Sequence, residues 1–311
     1  MASNRINPLP GVRFLLLISP LMVKWILMSL IIFLSQTGFA KTHLDKTIEI
    51  SAHRGSHIYK YSENTLAAFA EARSMGASSI EFDVIYTRDG ELVLNHDFKV
   101  SPEDFNGLSE VKDLREMTVS EIQKLTHKKD GSKIPTLAEF FEVYTSSSKF
   151  EGMTLHLEVK NKSLDPTLKD NFVGRILDYI SFYKLENQVI VRSFDWSIVE
   201  RFKKLAPKVR RALLIGRWKN SSFWRYFLND YKTIVERYQP ALVAPEKSLV
   251  NEIMVEEWQS YGVAVNPYTV NNSAEAQALL RLGVDGLTTD KPLKMYQSFG
   301  ATSLCGLFFD L

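Results

Sequence analysis

Eight strand-like runs alternate with helical patterns between residues 47 and 290 of this 311-residue chain, and they predict a parallel (β/α)8 barrel, the TIM barrel. The composition agrees: 45% hydrophobic and 24% charged residues are ordinary for a globular chain, and the length suits one large α/β barrel or two smaller domains. The one apolar run that breaks the alternation, 91–95 (ELVLN), follows Tyr86 after only TRDG. A parallel neighbour needs a crossover of about a dozen residues, so this run is the return arm of a β-hairpin. A doubly wound parallel sheet is the alternative architecture.

The first strand, 47–53 (TIEISAH), alternates apolar and polar residues, and Gly55 permits a sharp exit from it. A helix over 64–75 follows, with 62–64 as its N-cap region and Asn64 read as part of that cap. The second strand is 79–86 (SIEFDVIY); the Asp89-Gly90 turn then brings 91–95 back and sets Asp83 roughly opposite His96. From 97 to 133 the chain is polar, bounded by SPEDFNG and KDGSK, a loop-rich insertion over the barrel mouth with one short helix near 120–125. Strands then recur at 154–160 (TLHLEVK), 188–194 (QVIVRSF), 211–216 (RALLIG), 241–245 (ALVAP), 263–268 (VAVNPY) and 286–289 (GLTT). Helical patterns at 136–146, 167–183, 196–205, 222–238, 250–261 and 273–282 fill the intervals. The barrel domain therefore covers 46–298, with an apolar tail over 299–311. Cys305 in that tail is the only cysteine, so no intramolecular disulfide forms, and it reads as a small packed hydrophobe.

Residues 1–40 differ from the rest: they hold Arg5, Arg13 and Lys24 and no acidic residue. The run 25–34 (WILMSLIIFL) has the length of a signal-peptide apolar region, and Gly38 and Ala40 stand at the small-residue positions of a cleavage site. MVKWILMSLIIFLSQTGFA, beginning at Met22, is by itself a complete short signal peptide, which would make 1–21 a mis-assigned start. Read from Met1, the stretch 14–34 is instead long enough for an uncleaved membrane anchor. Both readings place the folded body outside the cytoplasm, in the periplasm or secreted. The formal charge of +2 and the lack of clustered Lys/Arg with interleaved aromatics exclude a nucleic-acid footprint.

Strand periodicity decides what faces inward. Glu81 and Asp83 share one face of their strand and Ile80, Phe82 and Val84 the other; His156, Glu158 and Lys160 likewise oppose Leu155, Leu157 and Val159. The apolar faces meet the helices, so the polar faces point into the barrel mouth. Glu81, Asp83 and Glu158 would repel one another there unless a cation or protons compensate, and an all-oxygen set favours Mg2+ or Ca2+. A structural network with Arg54 and Lys160 is the alternative. His53 and Arg54 at the first strand's end, and His96 from the hairpin, supply two imidazoles for proton transfer beside an anion.

The ordered set HRG (53–55), ENT (63–65), GA (76–77), IEFDV (80–84), LVLNHD (92–97), LEVK (157–160), SF (193–194) and GVDGLTTDKP (283–292) resembles the glycerophosphodiester phosphodiesterases over 48–292. The resemblance implies a TIM barrel, a divalent cation and hydrolysis of glycerophosphodiesters to glycerol 3-phosphate and an alcohol. It implies that His53 and His96 are the acid/base pair, that Glu81, Asp83 and Glu158 hold the metal, and that Arg54 and Lys160 contact the phosphate. Tyr268 stands before Thr269-Val270-Asn271 where relatives often carry tryptophan, and it would wall the glycerol pocket. The Arg-Thr-Thr run usual after His96-Asp97 is missing.

Other residues read as structural: His57 and His127 as solvated loop histidines, His156 as a barrel-core histidine, and the aromatics of 221–227 (SSFWRYF) as helix packing or a lipid-facing lip. Two alternatives accompany the leading function: a phospholipase-type phosphodiesterase acting on lysophospholipids or phosphoinositides, and a non-catalytic binding protein on a barrel scaffold. The leaving alcohol, the preferred ion, the assignment of acid and base between the histidines and the oligomeric state are left open by the sequence.

Overall fold

The computed structural model describes residues 47–160, 166–216 and 230–299. The expected signal or anchor segment, the 221–227 aromatics, Cys305 and the tail beyond Phe299 lie outside the described residues.

All eight predicted strands form. They are β1 (Glu49–His53), β2 (Ser79–Tyr86), β3 (Thr154–Val159), β4 (Val189–Ser193), β5 (Arg210–Ile215), β6 (Leu242–Pro245), β7 (Ala264–Val265) and β8 (Gly286–Thr289). Neighbours run in the order β7-β6-β5-β4-β3-β2-β1-β8, all parallel. Hydrogen bonds from Asp285 N to Val265 O (2.8 Å), Thr288 N to Pro267 O (2.9 Å) and Val270 N to Thr288 O (2.9 Å) join the two ends into a barrel. Outside it lie α1 (Leu66–Ser74), α2 (Leu137–Ser146), α3 (Pro166–Phe182), α4 (Trp196–Leu205), α5 (Tyr231–Tyr238), α6 (Glu252–Ser260), α7 (Ser273–Arg281) and α8 (Pro292–Phe299). Helix α8 was not anticipated; Pro292 at its first position is the sequence signal for it. The earlier part of the helix expected over 222–238 falls outside the described residues.

The outward faces of β2 and β3 are apolar as the period-two pattern requires. Ile80, Phe82, Val84, Leu155, Leu157 and Val159 are buried against Phe69, Phe140 and Phe172 of the surrounding helices. Inside the barrel the two halves differ: Ile190, Ala212 and Leu242 form a small apolar cluster, whereas β1, β2 and β3 contribute Ser51, Glu81, Asp83, His156 and Glu158. Among the described residues the buried carboxylates are thus concentrated on one side of the barrel, with Arg192 of β4 beside them.

The hairpin register differs from expectation by one residue. Val84 faces Leu94, Ile85 faces Val93 and Tyr86 faces Leu92, so Asn95, not His96, stands opposite Asp83. The Asn95 N–H donates to Asp83 O at 3.2 Å. The cause is the turn: Thr87 and Glu91 pair across Arg88, Asp89 and Gly90, and Gly90 takes a left-handed φ of 82°, a three-residue connection where a two-residue turn had been assumed.

The insertion is also more ordered than its polarity suggested. Two short antiparallel ribbons pair Lys99–Val100 with Lys112–Asp113 and Phe105–Asn106 with Thr126–His127. The short helix forms at Val119–Ile122 with a Thr118/Glu121 capping box. Val100, Phe105, Leu114, Ile122 and Leu125 pack on Ile85 and Val93, giving the insertion its own core.

Candidate active site

The parallel register aligns the site residues. His53 pairs with Glu81 across β1 and β2, and Asp83 pairs with Glu158 across β2 and β3, all toward the C-terminal ends of the strands. Glu81, Asp83 and Glu158 each offer a carboxylate oxygen, and these atoms lie within 4.8 Å of one another. All three side chains are buried. Glu81 Oε2 accepts from the Arg54 backbone N–H at 3.0 Å, while the buried Glu81 Oε1 is ion-paired with Arg192 Nη2 at 3.2 Å. Lys160 Nζ is shared between Asp83 Oδ1 (3.2 Å) and Glu158 Oε1 (3.0 Å).

The electrostatics show an incomplete balance. Burial pushes the Asp83 carboxyl up, but Lys160, Arg54, His96 and the Asn64 hydrogen bond outweigh it and hold the pKa down to about 2. Burial is the largest influence on Glu158; with the repulsion of Asp83 and Glu81 it outweighs Lys160 and Arg192, leaving the pKa raised. Among the described residues the cations therefore do not offset what raises the Glu158 carboxyl. Three buried carboxylates with oxygens within 4.8 Å of one another form an all-oxygen donor set that fits a hard divalent cation.

At the edge of this cluster His53 Nδ1 lies 2.6 Å from Asp290 Oδ1 and His53 Nε2 lies 3.9 Å from Glu81 Oε2. With Nδ1–H donating to Asp290, Nε2 is the basic nitrogen and faces the carboxylates. Burial disfavours the charged imidazolium, yet the Asp290 hydrogen bond and the Glu81 charge overcome this, and the His53 pKa is raised. Asp290 is itself fixed by Asn271, whose Nδ2 donates to Oδ2 at 2.6 Å and whose Oδ1 accepts from the Asp290 N–H at 2.9 Å. His96 hydrogen-bonds Asp97 Oδ1 through Nδ1 at 2.8 Å and is about one-third exposed, at 32%.

The chain leaves β1 through a strained corner. Arg54 and Gly55 have φ of 56° and 81°, and a Cβ at Gly55 would come within 2.8 Å of the Ala68 backbone. The corner directs the Arg54 Nη1 donor to both oxygens of Glu63 (3.0 and 2.9 Å) and leaves its Nε 3.6 Å from Asp83.

Several residues do not behave as the sequence suggested. Asn64 is not the cap: Thr65 caps α1, and Asn64, left-handed at φ 54°, is buried with Nδ2 donating to Asp83 Oδ2 (2.9 Å) and Oδ1 accepting from the Asp83 N–H (3.1 Å). The backbone turn into α1 points this amide at β2 and away from the helix N–H groups. His57 is not solvated, since its Nε2 lies 3.3 Å from the Asp290 oxygen that also holds His53. His127 is buried against the Phe105 ring at a centroid distance of 4.3 Å, because the insertion has a core. His156 is the expected core histidine, with Nε2 2.8 Å from Glu49 Oε1.

Tyr268 lies at the mouth, half-buried, its ring edge-on to Phe194 at 6.0 Å and its hydroxyl donating to Ile215 O at 3.3 Å. Burial, with Glu158 nearby, pushes its phenol up. Sequence reasoning missed Asp290, Asn271 and Arg192. Asp290 had a positional signal, the first residue after the last barrel strand, and Arg192 shares inward parity with Ile190 on β4.

Comparison with known proteins adds to this geometry. Residues 53–294 match the model of the glycerophosphoryl diester phosphodiesterase family. A glycerophosphodiester phosphodiesterase of Caldanaerobacter subterraneus is 33% identical over 254 residues, covering 79% of this chain and 95% of the relative. Among solved structures, a chain from Silicibacter pomeroyi superposes with a TM-score of 0.74 at 23% identity, covering 85% of this chain and 97% of that one. A phosphodiesterase of Oleispira antarctica in complex with its product sn-glycerol-3-phosphate has a TM-score of 0.67 at 23% identity, covering 80% and 96% of the two chains.

Proposed function

The chain belongs to the glycerophosphoryl diester phosphodiesterase family and hydrolyses glycerophosphodiesters, and from that premise we propose how its own residues divide the work and which substrates they serve. One observation carries the assignment: three buried carboxylates converge with oxygens within 4.8 Å of one another, with the basic nitrogen of His53 at their edge.

Glu81, Asp83 and Glu158 would hold a divalent cation, Mg2+ or Ca2+, which when bound supplies a Lewis-acid contact to a phosphoryl oxygen. Arg54 and Lys160 add positive charge on the same side of the mouth. His53 acts as general base, because Asp290 fixes its ring and stabilises the imidazolium that forms. Its Nε2 removes the proton of the glycerol 2-hydroxyl; that oxygen attacks phosphorus and closes a five-membered cyclic phosphate. The bond to the alcohol breaks, and His96, at the more exposed rim, protonates the departing oxygen. Water then opens the ring with the two histidines exchanging roles, giving glycerol 3-phosphate. Tyr268 walls the glycerol side.

The substrate class proposed is a small soluble glycerophosphodiester. The test is release of glycerol 3-phosphate from glycerophosphocholine with Mg2+, Ca2+ or chelator, beside H53A, H96A and E81A. Dependence on the cation and on both histidines supports the reading. Activity confined to detergent-dispersed lysophospholipid would transfer it to the lipid substrate. The N-terminal segment supports export, and cell fractionation with N-terminal sequencing of the recovered protein tests that location.

A further inference from the structure

Arg192 is an unusual residue for a barrel interior. It lies on β4 beside Glu158 in the parallel register, its side chain is 2% exposed, and Nη2 stands 3.2 Å from Glu81 Oε1. Nε and Nη1 are buried with no hydrogen-bond partner among the described residues. A guanidinium keeps its charge at any physiological pH, so burying it with uncommitted donors is costly unless an anion completes its shell. The strand neighbours at this level, Ala212 and Leu242, are apolar and offer no side-chain acceptor.

Among the described residues, two further cations of the mouth make more ion-pair contacts. Lys160 is divided between Asp83 and Glu158, and Arg54 is turned toward Glu63. Arg192 Nη2 is ion-paired with Glu81 Oε1, so one arm of its fork already lies beside the cluster that fits a cation. Ligand oxygens on a hard cation sit side by side at about 3 Å, close enough for one planar guanidinium to reach two of them.

We propose that Arg192 is a further phosphate-binding residue of this site, spanning Glu81 with one arm and a phosphoryl oxygen of the substrate with the other. It thereby takes up charge on the phosphoryl group as the diester reacts. The proposal rests on the diesterase reading of the mouth.

The test uses the full chain loaded with Mg2+ or Ca2+, with R192Q and R192K beside wild type. Calorimetry measures binding of sn-glycerol 3-phosphate and of inorganic phosphate, and a separate titration measures cation binding without phosphate. R192Q is expected to weaken glycerol 3-phosphate binding about 10- to 100-fold while cation affinity changes by less than about threefold, the difference expected for losing a charge-assisted donor to the anion. R192K keeps the charge but not the fork and recovers only part of the loss. Unchanged glycerol 3-phosphate binding in R192Q, or in R192K where R192Q does not fold, overturns the proposal. So does a parallel loss of cation affinity, which would make Arg192 a support for Glu81 alone. A wild-type protein that neither binds glycerol 3-phosphate nor hydrolyses a glycerophosphodiester overturns the diesterase reading itself.

Discussion

Replacing Asp290 by asparagine probes the positioning of His53 directly. Asp290 Oδ1 accepts from His53 at 2.6 Å and lies 3.3 Å from His57, and the carboxylate charge raises the His53 pKa against burial. The asparagine keeps the shape and removes the charge. A hydrogen bond to a charged group contributes about 1.5–3 kcal/mol, so losing it where the imidazolium forms should lower kcat about 10- to 150-fold, with a smaller change in KM. The pH profile carries a second sign. His53 must be neutral to act as base, and its pKa lies above the ordinary histidine value of 6.5. Activity therefore falls as pH drops through that raised pKa, and in D290N the acidic limb should move to lower pH. The same raised pKa stabilises the fold below the ordinary value and that stabilisation fades as pH rises through the folded one, so D290N should cost most stability at mildly acid pH. Steady-state kinetics over pH with a melting curve at each point measures both. A kcat within twofold of wild type, or an acidic limb that moves upward, would refute the reasoning.

Other outcomes follow from the same geometry. N64A removes the two hydrogen bonds between Asn64 and Asp83 and should weaken divalent-cation affinity about 10-fold or more, measured by calorimetry. F82A empties a fully buried ring position packed 5.9 Å from Phe69 and 5.0 Å from Phe140, and should cost about 3–5 kcal/mol in denaturant unfolding. Glu49, where burial is outweighed by His156 and Asn266, has its pKa held down to about 2 from an ordinary 4.5. Its depressed pKa stabilises the fold above 4.5 and that contribution is lost as pH falls toward 2, so E49Q should flatten the acid limb of a stability–pH curve across that window.

How far the site was legible follows from which interactions are local. The alternation of Glu81 and Asp83 with Ile80, Phe82 and Val84 is a property of strand geometry, so the carboxylate face could be read before any tertiary contact was known. His53 and His96 could be placed because each adjoins a strand or hairpin end. Asn64 could not, because a polar residue before a helix is usually a cap; only the left-handed turn at that residue sends its amide to Asp83. His57 and His127 were misjudged for a similar reason, since solvent exposure depends on what another segment covers.

The sequence by itself determined the strand and helix order, the inward parity of the charged residues and the motif set that marks the family, because these depend on neighbours a few residues apart. The tertiary structure decided the hairpin register, through a three-residue turn that shifts Asn95 opposite Asp83. It also decided the pairing of His53 with Asp290 across 237 residues and the approach of Arg192 to Glu81. Barrel closure alone brings β8 beside β1, and electrostatic contact between residues so far apart in the chain has no local periodicity to announce it.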